Sequence, residues 1–176
     1  QPRDDWMLLA AVFDGVPGDP EDPTRTRIHL SSDDGALVIT ELQWLGRRVS
    51  KLALGHWRYT GRFEDVRAET PGDWSQRRGN AGAYASLEYA FGAHEDGAPP
   101  AATAFVRYGF ADGRFNEFDR FAAVGVRYRG VFRGRDDDEL GFAVSHASTS
   151  AKMRRAGALN GTPRDRYESA LELTYR

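Results

Sequence analysis

Residues 102–110 read Ala-Thr-Ala-Phe-Val-Arg-Tyr-Gly-Phe (ATAFVRYGF). Ala102, Ala104, Val106, Tyr108 and Phe110 alternate with Thr103, Phe105, Arg107 and Gly109. Side chains repeat every two residues along a strand. This stretch therefore has one apolar face ending in aromatics and another that carries a charge. A half-buried strand of a soluble protein reads the same way, so the number of repeats decides the matter. Eight stretches of about ten residues alternate like this, separated by turn-rich breaks between residues 14 and 166. With aromatics gathered at strand ends, they predict an all-β, antiparallel transmembrane β-barrel with a wet interior, about eight strands of which lie in this chain.

Outward from 102–110 the pattern holds on both sides. In 81–91, Ala83, Ala85, Leu87, Tyr89 and Phe91 oppose Tyr84, Ser86 and Glu88. In 122–129, Ala122, Val124, Val126 and Tyr128 oppose Ala123, Gly125, Arg127 and Arg129. Residues 140–147 set Leu140, Phe142, Val144 and His146 against Gly141, Ala143, Ser145 and Ala147. Residues 168–175 set Ser169, Leu171, Leu173 and Tyr175 against Glu168, Ala170, Glu172 and Thr174. Upstream, 36–45 separates Val38, Thr40, Leu42 and Trp44 from Leu37, Ile39, Glu41 and Gln43. Residues 51–60 set Ala53, Gly55, Trp57 and Tyr59 opposite Leu52, Leu54, His56 and Arg58, and the first half leaves the outward face open. Residues 6–13 are apolar on both faces, which taken alone favours a soluble core.

The breaks carry a second pattern. They are long after the first, third and seventh stretches and shorter after the second, fourth and sixth. Membrane barrels join their strands by short periplasmic turns and longer outer loops, so the phase agrees. The break at 111–117 is shorter than that rule asks, and the break at 60–80 is long enough to fold inward. The Val-Pro-Gly-Asp-Pro signal at 16–20 and the turn formed by Gly46, Arg47 and Arg48 are ordinary chain reversals.

Composition narrows the function. The net charge of -2 offers no basic footprint for nucleic acid. The chain has no cysteine, which excludes disulfides and thiolate chemistry. Among its cations only Lys51 and Lys152 are lysine. Arginine suits oriented polar recognition, although a high-GC genome enriches it equally well. No run approaches the roughly 18 apolar residues of a membrane helix, so any crossing must use strands.

An enzyme needs an acid, a base or a nucleophile in a recognisable setting. His29, His56, His94 and His146 form no metal-spaced cluster, and neither H-E-x-x-H nor G-x-S-x-G occurs. His29 and His94 fall in breaks, and His146 falls at a lipid interface. The run Arg135, Asp136, Asp137, Asp138, Glu139 lacks the spacing and glycine of a calcium loop and reads as a solvated turn. No catalytic residue, metal site or cofactor is expected. What remains is the polar face, with Glu41, Gln43, His56, Arg58, Tyr84, Glu88, Arg107, Arg127, Arg129, Glu168 and Glu172. Opposed arginines and carboxylates in a wet channel set up a field and can hydrogen-bond sugar hydroxyls. Tyr84 and Phe105 offer flat surfaces for a pyranose ring. The competing assignment is that these charges only hydrate the wall. A soluble β-barrel binding a small ligand inside is the alternative architecture.

Particular words add to this reading. VFDGVPGDP (12–20), LSSDDGALVIT (30–40), YTGRFED (59–65), RGNAGAY (78–84), RGRDDDELGFAVSHAS (133–148) and YESALELTY (167–175) resemble the carbohydrate-selective porins of the OprB family, in consistent order over most of the chain. The resemblance implies a barrel of roughly 16 strands in the outer membrane of a Gram-negative bacterium, passing glucose and related sugars by passive diffusion. It implies an arginine-rich constriction, for which Arg58, Arg107, Arg127 and Arg129 are the candidates, with Glu41, Tyr84, Glu88 and Glu172 completing the channel lining. The implied partners are carbohydrate solutes, outer-membrane lipid and lipopolysaccharide. On this basis residues 1–176 form a single partial barrel domain, cut short at the C-terminal end and also at the N-terminal end.

Overall fold

The computed structural model describes residues 5–15, 35–46, 49–65, 76–92 and 100–176. The strands are β1 (Trp6–Asp14), β2 (Ala36–Trp44), β3 (Val49–Tyr59), β4 (Arg62–Glu64), β5 (Gln76–Arg78), β6 (Ala81–Phe91), β7 (Ala102–Ala111), β8 (Phe118–Arg129), β9 (Glu139–Thr149) and β10 (Tyr167–Tyr175). One helix, α1 (Ala151–Leu159), lies between β9 and β10. Eight strands make one antiparallel sheet in the order β1-β2-β3-β6-β7-β8-β9-β10, and β4 and β5 pair separately. Each long strand therefore neighbours the next in sequence, as an up-and-down meander requires.

The alternating stretches coincide with the eight long strands, and the register fixes which residues share a face. One row runs through Leu8, Leu42, Leu54, Ala85, Tyr108, Ala122, His146 and Ser169. The opposite face carries Glu41, Gly55, Tyr84 and Gly109 in one row, and Arg107, Ala123, Ser145 and Ala170 in another. The apolar face is bare. Leu8 and Val12 are each 70% exposed and Leu171 and Leu173 each 75%, whereas the buried apolar side chains among the described residues are Ala53, Ala90 and Ala102. A soluble fold would cover such side chains, at about 1.5–3 kcal/mol apiece. Among the described residues no second layer packs on them, and covering them falls to an apolar solvent. The doubly apolar residues 6–13 form the outermost strand β1, not a core strand.

Three pairs of directly opposed residues on the polar face combine an aromatic ring with a glycine. Trp57 lies over Gly82, Tyr84 over Gly55 and Phe105 over Gly125, and in each pair a Cβ on the glycine would collide with the ring. The missing side chain makes the space into which the ring lies down along the wall.

The connections at 15–35, 60–80, 112–117 and 150–166 share one end of the sheet, and those at 45–48, 92–101 and 130–138 share the other. The signal at 16–20, Arg47, Arg48, His29 and His94 lie outside the described residues. Two elements occur within expected breaks. Ser150 caps α1 by accepting a hydrogen bond from the Met153 N–H at 3.2 Å, a cap that favours helix initiation. The short β4–β5 pair lies in the 60–80 connection. The brief 112–117 turn holds itself together: the N–H groups of Phe115 and Asn116 donate to the Asp112 carbonyl at 3.1 Å each.

Candidate solute pathway on the polar face

Of the eight lining residues expected from sequence, seven share the polar face: Glu41, Tyr84, Glu88, Arg107, Arg127, Arg129 and Glu172. Arg58 does not. It pairs with Val38 and Ala81, which places it on the apolar face, and His56 lies on that same face between Thr40 and Ala83. The cause is local. Residues 52–58 run from leucines to charged groups along one side of β3, so alternation alone leaves its outward side open; the pairing of Glu41 with Gly55 settles it.

Two polar centres stand on the face. In the first, Tyr84 Oη donates to Glu41 Oε2 at 2.5 Å, the Gln43 side-chain amide donates to the same carboxylate, and Lys51 Nζ lies 3.9 Å away. Tyr84 can reach Glu41, two strands away, because Gly55 between them leaves room. In the second, Glu139 is held between two guanidinium groups, 3.6 Å from Arg127 and 2.5 Å from Arg176. Its side chain is only 15% exposed, so its charge is compensated by these neighbours more than by water. A cleft of about 320 Å³ opens here, lined by Phe105, Arg127, Glu139, Glu172, Thr174 and Arg176. A second recess, of about 470 Å³, joins Ser50, Glu88, Thr103 and the same Arg127. Arg127 thus faces both spaces.

The remaining arginines differ from one another. Arg107 rests its guanidinium 4.9 Å from the Phe105 ring centroid and is otherwise open to solvent. Arg129 is drawn toward the 130–138 turn, with Nη2 2.6 Å from Asp137 and Nε donating to the Asp136 carbonyl at 3.2 Å. Glu172 accepts from the Thr174 hydroxyl at 2.9 Å.

At the end with the longer connections, an aromatic train leads from the wall onto the β4–β5 pair. The ring centroids of Trp57 and Tyr59 are 5.9 Å apart, those of Tyr59 and Phe63 4.9 Å, and those of Phe63 and Phe115 6.3 Å. Trp57 and Tyr59 belong to the polar face, so the β4–β5 pair meets the end of the wall from that side, through Phe63 on Tyr59. Asp65 anchors it. This carboxylate is buried and lies 3.4 Å from both Arg77 and Lys152. Beside it, Asn116 donates to the Asn80 side chain at 2.8 Å. Asp112 accepts from the Arg114 backbone N–H at 2.9 Å and from its guanidinium at 2.6–3.0 Å. These Arg114 hydrogen bonds hold the Asp112 carboxyl below the usual carboxylate range. Among the described residues no group of three or more acidic or histidine side chains is placed to hold a metal, and no helix is long and apolar enough to cross a membrane.

A charged, glycine-spaced wall backed by a bare apolar face narrows the comparison to membrane barrels, and the family described as carbohydrate-selective porin, OprB family, matches residues 1–176. The chain belongs to the OprB porin family. Porin B of Pseudomonas aeruginosa is 23% identical over 184 residues, covering 95% of this chain and 40% of that protein. The high pH structure of Pseudomonas putida OprB superposes with a TM-score of 0.83 at 20% identity, covering 99% of this chain and 47% of that one. The chain thus spans less than half the length of either relative, and its eight-stranded sheet has the fold of part of an OprB porin barrel.

Sequence reasoning missed three members of this porin's polar centres. Glu139 reads as the end of an acidic turn. It also continues the period-two series Glu139, Gly141, Ala143, a signal that would have placed it on the wall. Arg176 continues the series of Glu172 and Thr174 in the same way, one step beyond β10, where it exchanges backbone hydrogen bonds with Glu139 at 2.9 and 3.1 Å. Lys51 was recognised as one of two lysines but not as a neighbour of Glu41.

Proposed function

We propose that this chain forms part of the wall of an outer-membrane channel of a Gram-negative bacterium, through which glucose and related neutral sugars diffuse down their gradients. The observation that carries the reading is the contrast between the two faces of one sheet. One presents exposed leucine, valine and aromatic side chains to hydrocarbon; the other presents opposed carboxylates and guanidinium groups to water. In the full-length barrel the polar face lines the lumen, and the end bearing α1 and the β4–β5 pair faces outward, since outer loops are the longer ones.

The mechanism needs no covalent step. Arg107, Arg127, Glu88, Glu172 and the Tyr84–Glu41 pair supply donors and acceptors that replace a sugar's water one hydroxyl at a time, so entry costs little and exit remains fast. Phe105, with Arg107 beside it, gives the C–H face of a pyranose ring a flat resting surface. Compensated charge, as at Glu139, favours neutral polar solutes over ions of either sign.

The test is single-channel current from the full-length protein in a planar bilayer while glucose is titrated against a salt-matched control. Concentration-dependent block supports a saccharide channel. An open channel indifferent to glucose overturns the choice of solute, and no channel at all overturns the whole reading.

A further inference from the structure

Arg58 and Arg120 are the arginines that the described strands of the main sheet place on the apolar face. Both lie on the apolar face, both are exposed, and neither makes an ion pair with a described residue. They are placed together by the register. His56, Ala83, Phe110 and Arg120 form one row across β3, β6, β7 and β8, and Arg58 lies one row nearer the long connections. Three strand spacings separate His56 from Arg120, about 14 Å of backbone. The floor between them is low, because β6 contributes Ala81, Ala83 and Ala85 to this face. Phe110 and Tyr108 border it on the Arg120 side.

Charge on this face is one-sided in two senses. Within the strands β2 to β10 the three rows from Arg58 to Leu54 contain no carboxylate, and their polar groups are Thr40, His56, Arg58, Arg120, His146, Ser148, Ser169 and the Tyr hydroxyls; Asp112, which continues the Arg58 row just past β7, is engaged by Arg114, and Asp14 of β1 lies one row beyond. The opposite rim of the same face has Phe91, Ala102, Tyr128, Leu140 and Tyr175 and no cation from a described strand; Arg135 of the 130–138 turn reaches it, but its guanidinium is already engaged by the Tyr175 hydroxyl at 2.5 Å and by Asp138 at 3.2 Å. Eight residues separate the row of Arg120 from the row of Tyr128, about 27 Å of strand and about 20 Å of height at a barrel's tilt. The unpaired strand cations Arg58 and Arg120 therefore stand at the edge of the hydrocarbon band, at headgroup level, on the side of the long connections.

We infer that Arg58 and Arg120, with His56 between them, form a binding site for the phosphates of an outer-leaflet glycolipid. The inference rests on the membrane-barrel reading above. Guanidinium groups bind phosphate by paired, charge-assisted hydrogen bonds. The alanine floor accepts the sugar backbone between the two phosphates, and the apolar rows below accept the acyl chains. A free inorganic phosphate would leave that apolar surface unused, which is why the ligand is taken to be a lipid.

The experiment uses the full-length protein in detergent, with diphosphorylated lipid A, the same lipid after dephosphorylation, and inorganic phosphate as separate probes. The Arg58→Ala/Arg120→Ala double variant is expected to bind diphosphorylated lipid A at least about tenfold more weakly, and the Arg58→Lys/Arg120→Lys variant to retain most of the affinity because charge is kept. Wild-type protein is expected to bind the dephosphorylated lipid as weakly as the alanine variant binds the intact one. Bilayer conductance checks that each variant still forms a barrel, since neither arginine is on the polar face. Equal affinity for wild type and a conducting alanine variant overturns the site. Indifference to the lipid phosphates, or displacement of the lipid by millimolar inorganic phosphate, overturns the ligand. A wild-type protein that conducts but binds no phosphorylated lipid sinks this inference alone, whereas one that never inserts removes the channel reading with it.

Discussion

The Asp65 carboxylate lies 3.4 Å from Lys152 Nζ, across a separation of 87 residues. It ties the β4–β5 pair to the segment between β9 and β10, across the four strands β6 to β9. Asp65→Asn removes the charge that faces both Lys152 and Arg77 and is expected to cost about 1–3 kcal/mol of local stability while leaving the sheet intact. Limited proteolysis of the folded full-length protein should then cut within 60–80 faster than in wild type. An unchanged cleavage rate would show that the aromatic train through Phe63 holds the pair unaided.

Glu139 is shared by Arg127 and Arg176, so Glu139→Gln should raise the net charge of the cleft by one positive charge and leave both guanidinium groups without their carboxylate. The expected result is a shift of the reversal potential toward anions in a salt gradient. Arg127→Ala should move it the opposite way. Equal selectivity in all three proteins would place this cluster away from the conducting path.

Arg107→Ala and Arg127→Ala are each expected to change glucose block of the current, by about threefold to tenfold for the net loss of one water-exposed hydrogen bond. Arg129→Ala should do less, because Asp137 and the Asp136 carbonyl already engage its guanidinium. The three block constants, measured side by side, rank these roles.

The Asp112 carboxyl is held low by Arg114, so its folded pKa lies below its unfolded one. A depressed carboxylate contributes stability that is present above the unfolded value, about 4, and is lost as pH falls through the folded value. The 112–117 turn should therefore be indifferent to pH from neutrality to about 5 and should loosen below about 4. Amide hydrogen exchange of Phe115 and Asn116 across this range is the measurement, and Asp112→Asn should remove the acid-dependent step.

Gly55→Val places side-chain atoms where the Tyr84 ring lies. Overpacking of this kind costs about 1–3 kcal/mol, and turning the ring away also breaks its hydrogen bond to Glu41. The variant should unfold at lower urea concentration in detergent and should alter conductance. Gly109→Ala, with 3.7 Å to the nearest atoms, is the tolerated control.

The strand order and the phase of most strands were legible because the leucines and valines of residues 81–91, 102–110 and 122–129 keep to one side, with Tyr84 and Phe105 as the aromatic exceptions on the other. Arg58 was not legible, because a strand that leaves the hydrocarbon carries charge on its outer face too, and period two has no term for depth. Glu139 was hidden by its acidic neighbours. Helix α1 and the β4–β5 pair fall in breaks whose composition signals turns, and their contacts join residues far apart in sequence, as Asp65 joins Lys152. Of the channel wall, residue types were readable; the pairings of Tyr84 with Glu41 and Arg127 with Glu139 depend on which glycine leaves space beside them.

The three rings that lie over glycines have a consequence for how the strands find one another. Hydrophobic alternation penalises a slip of one residue, which would turn every leucine toward water, but it is blind to a slip of two. Shifted by two, Tyr84 would face Ala53 or Trp57 in place of Gly55, and Phe105 would face Ala123 or Arg127 in place of Gly125. Each of those alternatives carries a side chain where the ring must lie. The rings and their glycines thus act as a vernier on assembly, rejecting the misalignments that the apolar pattern lets through.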